Sequence, residues 1–121
     1  MKVHGLIQAM LLLLLHEEPG YGYDLMKRLD REVPPEMIPD QAVVYRILRE
    51  LERGGYTVSN LKPGEGGPGR KVYSLTAEGK VFLDEWHRLV QSRVTALNSF
   101  IQKYEMTVSS KLGADLEEKD K

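Results

Sequence analysis

The sequence predicts a mainly α fold with one small β-hairpin, and three observations carry that expectation. Apolar residues recur at helical spacing in four stretches separated by proline or glycine breaks. The one clearly β-patterned region lies between Tyr56 and Leu75, on either side of a glycine-rich loop. The last apolar stripe repeats over roughly 29 residues, a helix of about 43 Å. At 121 residues and 41% hydrophobic composition the chain can fill one core without staples, and it has no cysteine to form any.

The elements follow in order. From His4 to about His16, Leu6, Ile7, Met10, Leu11, Leu13, Leu14 and Leu15 are apolar on most sides, as in a helix at the centre of a small core. Its apolar run, Ala9 to Leu15, is too short to cross a bilayer, and Glu17, Glu18 and Pro19 follow it directly, unlike a secretory leader. Glu18-Pro19-Gly20 ends it, and a second, amphipathic helix to about Arg31 buries Leu25, Met26 and Leu29. Pro34, Pro35 and Pro39 then impose an extended connector. Asp40 stands where an N-cap side chain would accept a backbone N–H, and the helix it opens should end at Gly54-Gly55. Val44, Ile47, Leu48 and Leu51 form its core stripe, leaving Ala42, Tyr45, Arg46, Arg49 and Arg53 on an adjacent outward face.

Two short strands, from Tyr56 and from Lys71, flank a flexible tip at Gly64 to Gly69. Thr76 is the expected N-cap of the last helix; Gly79 three residues on leaves no capping box. Phe82, Trp86, Val90, Val94, Leu97, Ile101 and Tyr104, widened by Leu83, Leu89 and Phe100, form a stripe too long for the remaining core to cover. A partner helix is therefore expected, with Phe82, Trp86, Leu89, Val90, Val94, Leu97, Ile101 and Tyr104 at a dimer interface. The charge-alternating tail from Ser109 is expected to be disordered. The expected organisation is thus residues 1–76, a winged helix-turn-helix; 77–108, a dimerisation helix; and 109–121, the tail.

Helix, helix, connector, helix and hairpin is the order of a winged helix-turn-helix, whose third helix enters a DNA major groove while the hairpin meets the flanking backbone. Net charge is only −1, but residues 41–73 carry +3, so a basic surface sits on a nearly neutral chain. A phenol and three guanidiniums on about two turns suit phosphate and guanine-edge contacts; Arg46 with Glu50, or Arg49 with Glu52, equally fits weak surface pairs. The Gly64 to Gly69 spacing matches G-x-G-x-x-G, but Arg70 and Lys71 and then a strand follow, where a phosphate cradle needs a helix N-terminus. His4, His16 and His87 lack the spacing of metal ligands, no serine sits in a nucleophile elbow, and no acid–base pair stands out. No enzyme activity, cofactor, metal or membrane span is expected, and the absence of cysteine fits a reducing cytoplasm.

Three blocks, Gly20-Tyr-Gly-Tyr-Asp-Leu, Val44-Tyr-Arg-Ile-Leu-Arg-Glu-Leu-Glu-Arg-Gly-Gly and Gly66-Gly-Pro-Gly-Arg-Lys-Val-Tyr-Ser-Leu-Thr-Ala-Glu-Gly, come in the order of the PadR family of transcriptional regulators, which the chain resembles over about residues 6–83. The resemblance implies a dimeric repressor of a pseudo-palindromic operator in double-stranded DNA, released by a small hydrophobic or phenolic effector. It implies that Tyr45, Arg70 and Lys71 face DNA, and Tyr73 matches the family's strand tyrosine. Val43 departs from the pattern, which commonly has Thr or Ser there. Trp86 lies on the helix that small members use for dimerisation and, in some, for stacking planar drugs, which makes it the candidate effector residue. The alternatives are a winged-helix module that binds protein, or a drug-sequestering dimer without specific DNA binding.

Overall fold

In a computed structural model, which describes residues 3–64 and 67–119, the chain forms two compact units, the first ending at Trp86 and the second beginning at His87. Helix α1 (Val3–Glu17) supplies the centre of the first unit, with Ile7, Leu11, Leu12 and Leu14 almost wholly inaccessible to solvent. Its C-terminal carbonyls are not left bare: Arg28, on α2 (Gly22–Glu32), donates to Leu14 O and Glu18 O. Between α1 and α2 runs β1 (Gly20–Tyr21), a strand the apolar pattern does not reveal. After α2, Pro35–Met37 makes a single 3₁₀ turn inside the proline connector.

Helix α3 (Gln41–Arg53) buries Val44, Ile47, Leu48 and Leu51, the stripe its periodicity predicts. Asp40 is its N-cap residue by backbone position, but its side chain makes no capping hydrogen bond; only its carbonyl accepts, from the amides of Val43 and Val44. The other end closes as a Schellman motif, in which Gly55 N donates to Glu52 O and Tyr56 N to Leu51 O. That geometry needs a left-handed residue, and Gly55 has φ +82°.

The chain then turns into β2 (Thr57–Gly64) and β3 (Gly67–Leu75), which pair antiparallel from Thr57↔Leu75 to Gly64↔Gly67 with an irregularity between Lys62 and Gly64. The expected long flexible tip is corrected here: Gly64 and Gly67 to Gly69 are strand residues, because the ladder continues outward past Lys62↔Arg70, and only residues 65 and 66 lie outside the described residues. β1 adds to the free side of β3, giving the order β1-β3-β2 with Tyr21 opposite Val72 and Gly20 opposite Tyr73. Three helices followed by this hairpin constitute a winged helix.

Helix α4 runs from Ala77 to Lys119. Thr76 caps it as expected: its hydroxyl accepts from Gly79 N at 3.0 Å and donates to Gly55 O at 2.7 Å, fixing the helix start to the α3–β2 turn. The first turns belong to the first unit, where Leu83 is buried, Phe82 stacks on Tyr56 at 4.2 Å between centroids, and a Cβ at Gly5 would stand 2.7 Å from the Trp86 ring. In the second unit the helix continues from His87 through Ser109 to Lys119, roughly 50 Å at 1.5 Å per residue. The expectation of a disordered tail from 109 is corrected. Residues 109–119 contain no proline and several strong helix formers, including Lys111, Leu112, Ala114 and Leu116, which extend an existing helix without a new nucleation cost.

Candidate nucleic-acid interface

Which residues meet outside the core follows from the sheet register and the α3 stripe. Burying Val44, Ile47, Leu48 and Leu51 turns Ala42, Arg46, Arg49 and Arg53 outward, all exposed, with Tyr45 half-buried at the edge of the face. On β3, Arg70 and Lys71 are exposed, while Tyr73 is 4% exposed. The strand tyrosine is thus not a free surface contact. Its ring is part of the core, clustered with the buried side chains of α1, α2 and α3.

Part of this outward surface lines one open groove of about 500 Å³. Tyr45 and Arg49 contribute from α3, Arg70, Lys71 and Tyr73 from β3, and Tyr21, Gly22, Tyr23 and Asp24 from the β1–α2 junction. Ala42, Arg46 and Arg53 are not among its lining residues. Arg46 instead approaches Glu50 at 3.8 Å in an exposed i, i+4 pair, worth little and free to reopen. The alternative pairing of Arg49 with Glu52 does not form: Glu52 accepts from the Ser59 amide at 3.0 Å and from its hydroxyl, joining α3 to β2. Arg49 therefore remains in the groove as a cation.

The two tyrosines missing from the sequence-derived site shape the groove. Tyr21 sits opposite Val72 across the β1–β3 pair, so Arg70, two residues along on the same face, lies diagonally over it, with its guanidinium carbon 6.0 Å from the ring centroid. Tyr23 lies under Lys27, 4.6 Å from its ammonium. The alternating Gly20-Tyr-Gly-Tyr run carried a signal for both, since its second glycine gives way to a ring. A Cβ at Gly22 would stand 2.6 Å from Tyr45 Cε1, so glycine is what lets the Tyr45 ring lie against the start of α2. Beneath them the Tyr73 phenol is pushed above its usual ionisation range by burial first, then by the Glu52 carboxylate; Arg49 pulls the other way. It stays a neutral hydroxyl donor throughout physiological pH.

The expected dimer residues divide. Phe82 and Trp86 are spent inside the first unit, on Tyr56 and on α1, and Trp86 Nε1 is buried without a partner there. Leu89, Val94, Leu97, Ile101 and Tyr104 are exposed and Val90 half-buried. Among the described residues there is no cluster of three or more metal-ligating side chains, and no helix long and apolar enough to cross a membrane.

A basic helix beside a basic two-stranded wing on a three-helix core is the arrangement of winged-helix transcription regulators. The model of the PadR-like transcriptional regulator family matches residues 11–85, and the chain belongs to that family. A "Probable transcriptional regulator" of Mycobacterium tuberculosis is 29% identical over 76 residues, and this chain spans about 40% of that relative's length. Among solved structures, a PadR-like transcription factor of Bacteroides fragilis is 27% identical with a TM-score of 0.68, covering 80% of this chain and 91% of that one. A PadR family transcription regulator of Clostridium difficile is 26% identical with a TM-score of 0.68, covering 78% and 97%. The chain is a transcriptional regulator of this family.

Proposed function

We propose that the chain is a sequence-specific DNA-binding repressor acting as a homodimer on a pseudo-palindromic operator, with α3 in the major groove and the β2–β3 wing on the flanking backbone. The observation that carries this reading is the convergence of Arg49 from α3 with Arg70 and Lys71 from β3 on one groove, beside the exposed Arg46 and Arg53. Bases are read from the helix and phosphates are held from the wing, two tasks that need cations on two elements sharing one face. Ala42 at the first turn leaves room for a base edge.

The homodimer is supported by the second unit. Val90, Val94, Leu97, Ile101, Tyr104 and Val108 repeat at alternating intervals of four and three, the heptad spacing of a helix seam. Leu97 is 59% exposed and Phe100 68% exposed, so the stripe has no cover within its own unit. Two recognition helices so joined would address half-sites about 34 Å apart. Release by a small hydrophobic or phenolic effector stays with this proposal on the family's behaviour, but Trp86 is not assigned to it, since its ring already packs on α1.

The test is binding of duplex DNA across a salt series, with Arg70 and Lys71 both replaced by Ala. Each lost phosphate contact lowers the slope of log affinity against log salt by about 0.9, so the double variant should bind every sequence more weakly with a slope flatter by nearly two. An unchanged affinity and slope would remove the wing from the DNA backbone.

A further inference from the structure

Glu52 stands where a carboxylate is doubly disfavoured. It lies in the last turn of α3, where the negative end of the helix dipole opposes it, on a helix assigned above to a polyanionic partner. No ion pair among the described residues includes it. Its hydrogen bonds there come from Ser59, whose amide donates to Oε1 at 3.0 Å and whose hydroxyl donates to the same oxygen. The ladder explains why that amide is free. Thr76 N donates to Tyr56 O, so by the alternation of an antiparallel pair the rungs Val58↔Ser74 and Asn60↔Val72 carry the next bonds, and Ser59, opposite Tyr73, turns its amide to the open edge. β2 is an outer strand of the order β1-β3-β2, and Glu52 covers its edge at that point.

We infer that Glu52 is a positioning residue for the wing: its grip on the Ser59 amide and hydroxyl fixes the angle between the β2–β3 hairpin and α3, and so aims Arg70 and Lys71. Each strand of the hairpin has an anchor at the same rung. Tyr73 ties β3 to the core through its buried ring, and Ser59, its partner across the ladder, ties β2 to α3. Without the second anchor the ribbon is free to twist about β3. Lys71 and Arg70 lie farther out along the strand than Tyr73, by roughly 7 and 10 Å at about 3.3 Å per residue, so a tilt of about 10° at that rung moves Arg70 by about 2 Å. A charge-assisted hydrogen bond, about 2.7–2.9 Å long, does not survive such a shift. The inference rests on the DNA-binding reading for what the wing is aimed at. The sign of the effect is diagnostic, because removing a carboxylate from a DNA-facing element should by charge alone strengthen duplex binding, whereas losing the grip should weaken it.

Anisotropy with duplex DNA across a salt series reads the effect in the full chain, both in the parent and in a background with Arg70 and Lys71 replaced by Ala. Glu52→Ala should bind duplex about tenfold more weakly than the parent, with a slope of log affinity against log salt flatter by up to about 1.8, because two phosphate contacts are no longer held in place. Ser59→Ala, which changes no charge and keeps the backbone donor, should show the same change to a smaller extent. Glu52→Gln, whose amide oxygen still accepts, should restore most of the affinity lost in Glu52→Ala. In the background without the wing cations, Glu52→Ala should change affinity by less than about twofold. Residual dipolar couplings of the ¹⁵N-labelled chain without DNA report the angle directly: α3 and β2–β3 amides should fit one alignment in the parent and separate alignments in Glu52→Ala. Should that variant fold poorly, Ser59→Ala serves for both comparisons. Binding unchanged or tightened in Glu52→Ala, or an equal loss in both backgrounds, would overturn the positioning role. A parent chain that binds no duplex would overturn the DNA reading instead; separate alignments in Glu52→Ala would then uphold the grip on the wing, and one shared alignment would overturn it too.

Discussion

Replacing Gly22 by Ala links the packing of the site to its function in a single methyl group. The new Cβ would stand 2.6 Å from Tyr45 Cε1 and 3.4 Å from Cζ, whereas carbon contacts are comfortable at about 3.5–4.0 Å, so the ring must retreat by roughly 1 Å. Its inner side is held against the core, and the free direction is into the groove. Among the described residues only Gly55 has a left-handed φ, so Ala is compatible with the backbone at 22, and in a helix it gains up to about 1 kcal/mol over Gly. Against this stands an overpacking cost of about 1–3 kcal/mol. The net expectation is a loss of about 1 kcal/mol with Tyr45 present. In a Tyr45→Ala background the clash is gone and the same substitution should stabilise by about 0.5–1 kcal/mol, a coupling of about 2 kcal/mol between the two positions. Urea midpoints at equal protomer concentration measure all four corners of the cycle. Duplex affinity should also fall in Gly22→Ala alone, because the displaced ring narrows the groove. Equal stability changes in the two backgrounds would refute the claim that Gly22 exists to seat Tyr45.

Three further outcomes follow from the packing. A Cβ at Gly79 would meet the backbone oxygen of Tyr56 at 2.0 Å, and backbone yields less than a ring, so Gly79→Ala should cost about 3 kcal/mol and lower the melting temperature by several degrees. Leu97→Glu puts a charge on the exposed heptad stripe and should leave monomers in sedimentation equilibrium where the parent chain forms the proposed homodimer, with duplex binding weakened accordingly. Tyr73 titrates above its ordinary value of 10.0 in the folded chain, because burial, Glu52 and Tyr45 outweigh Arg49, so its contribution to stability is full below about pH 10 and is lost as pH rises through the folded value. Melting temperatures from about pH 9 to 12 should decline less steeply in Tyr73→Phe than in the parent chain.

Periodicity made the helices legible, because α3 and the start of α4 bury their stripes in the ordinary way; Val44, Ile47, Leu48 and Leu51 needed only a 3.6-residue repeat. Strand β1 was not legible, since two residues carry no alternation and pair only once β3 is in place. The Gly64 to Gly69 stretch reads as loop because glycine has poor strand propensity, yet cross-strand pairing on both sides of it prevails. The charged part of the site followed from residue type and helical phase. Its aromatic part did not: whether Tyr73 is a contact or a core ring depends on which face of β3 turns inward, and Tyr21 joins the groove only once β1 is seen to pair with β3. Phe82 and Trp86 share the spacing of the residues that follow them, and only the end of the first compact unit at Trp86 separates the packed part of that stripe from the exposed part.

The central claim is that this chain reads a DNA sequence with α3 and holds phosphates with the groove beside it. Fluorescence anisotropy with a duplex from its own upstream promoter, against a scrambled duplex of equal length and across a salt series, tests that claim most directly. The account predicts tight, salt-sensitive binding with at least about a thousandfold preference for the promoter. Equal weak affinity for both duplexes, or none at moderate salt, would contradict it and leave the face around Tyr45 and Arg49 to a protein partner.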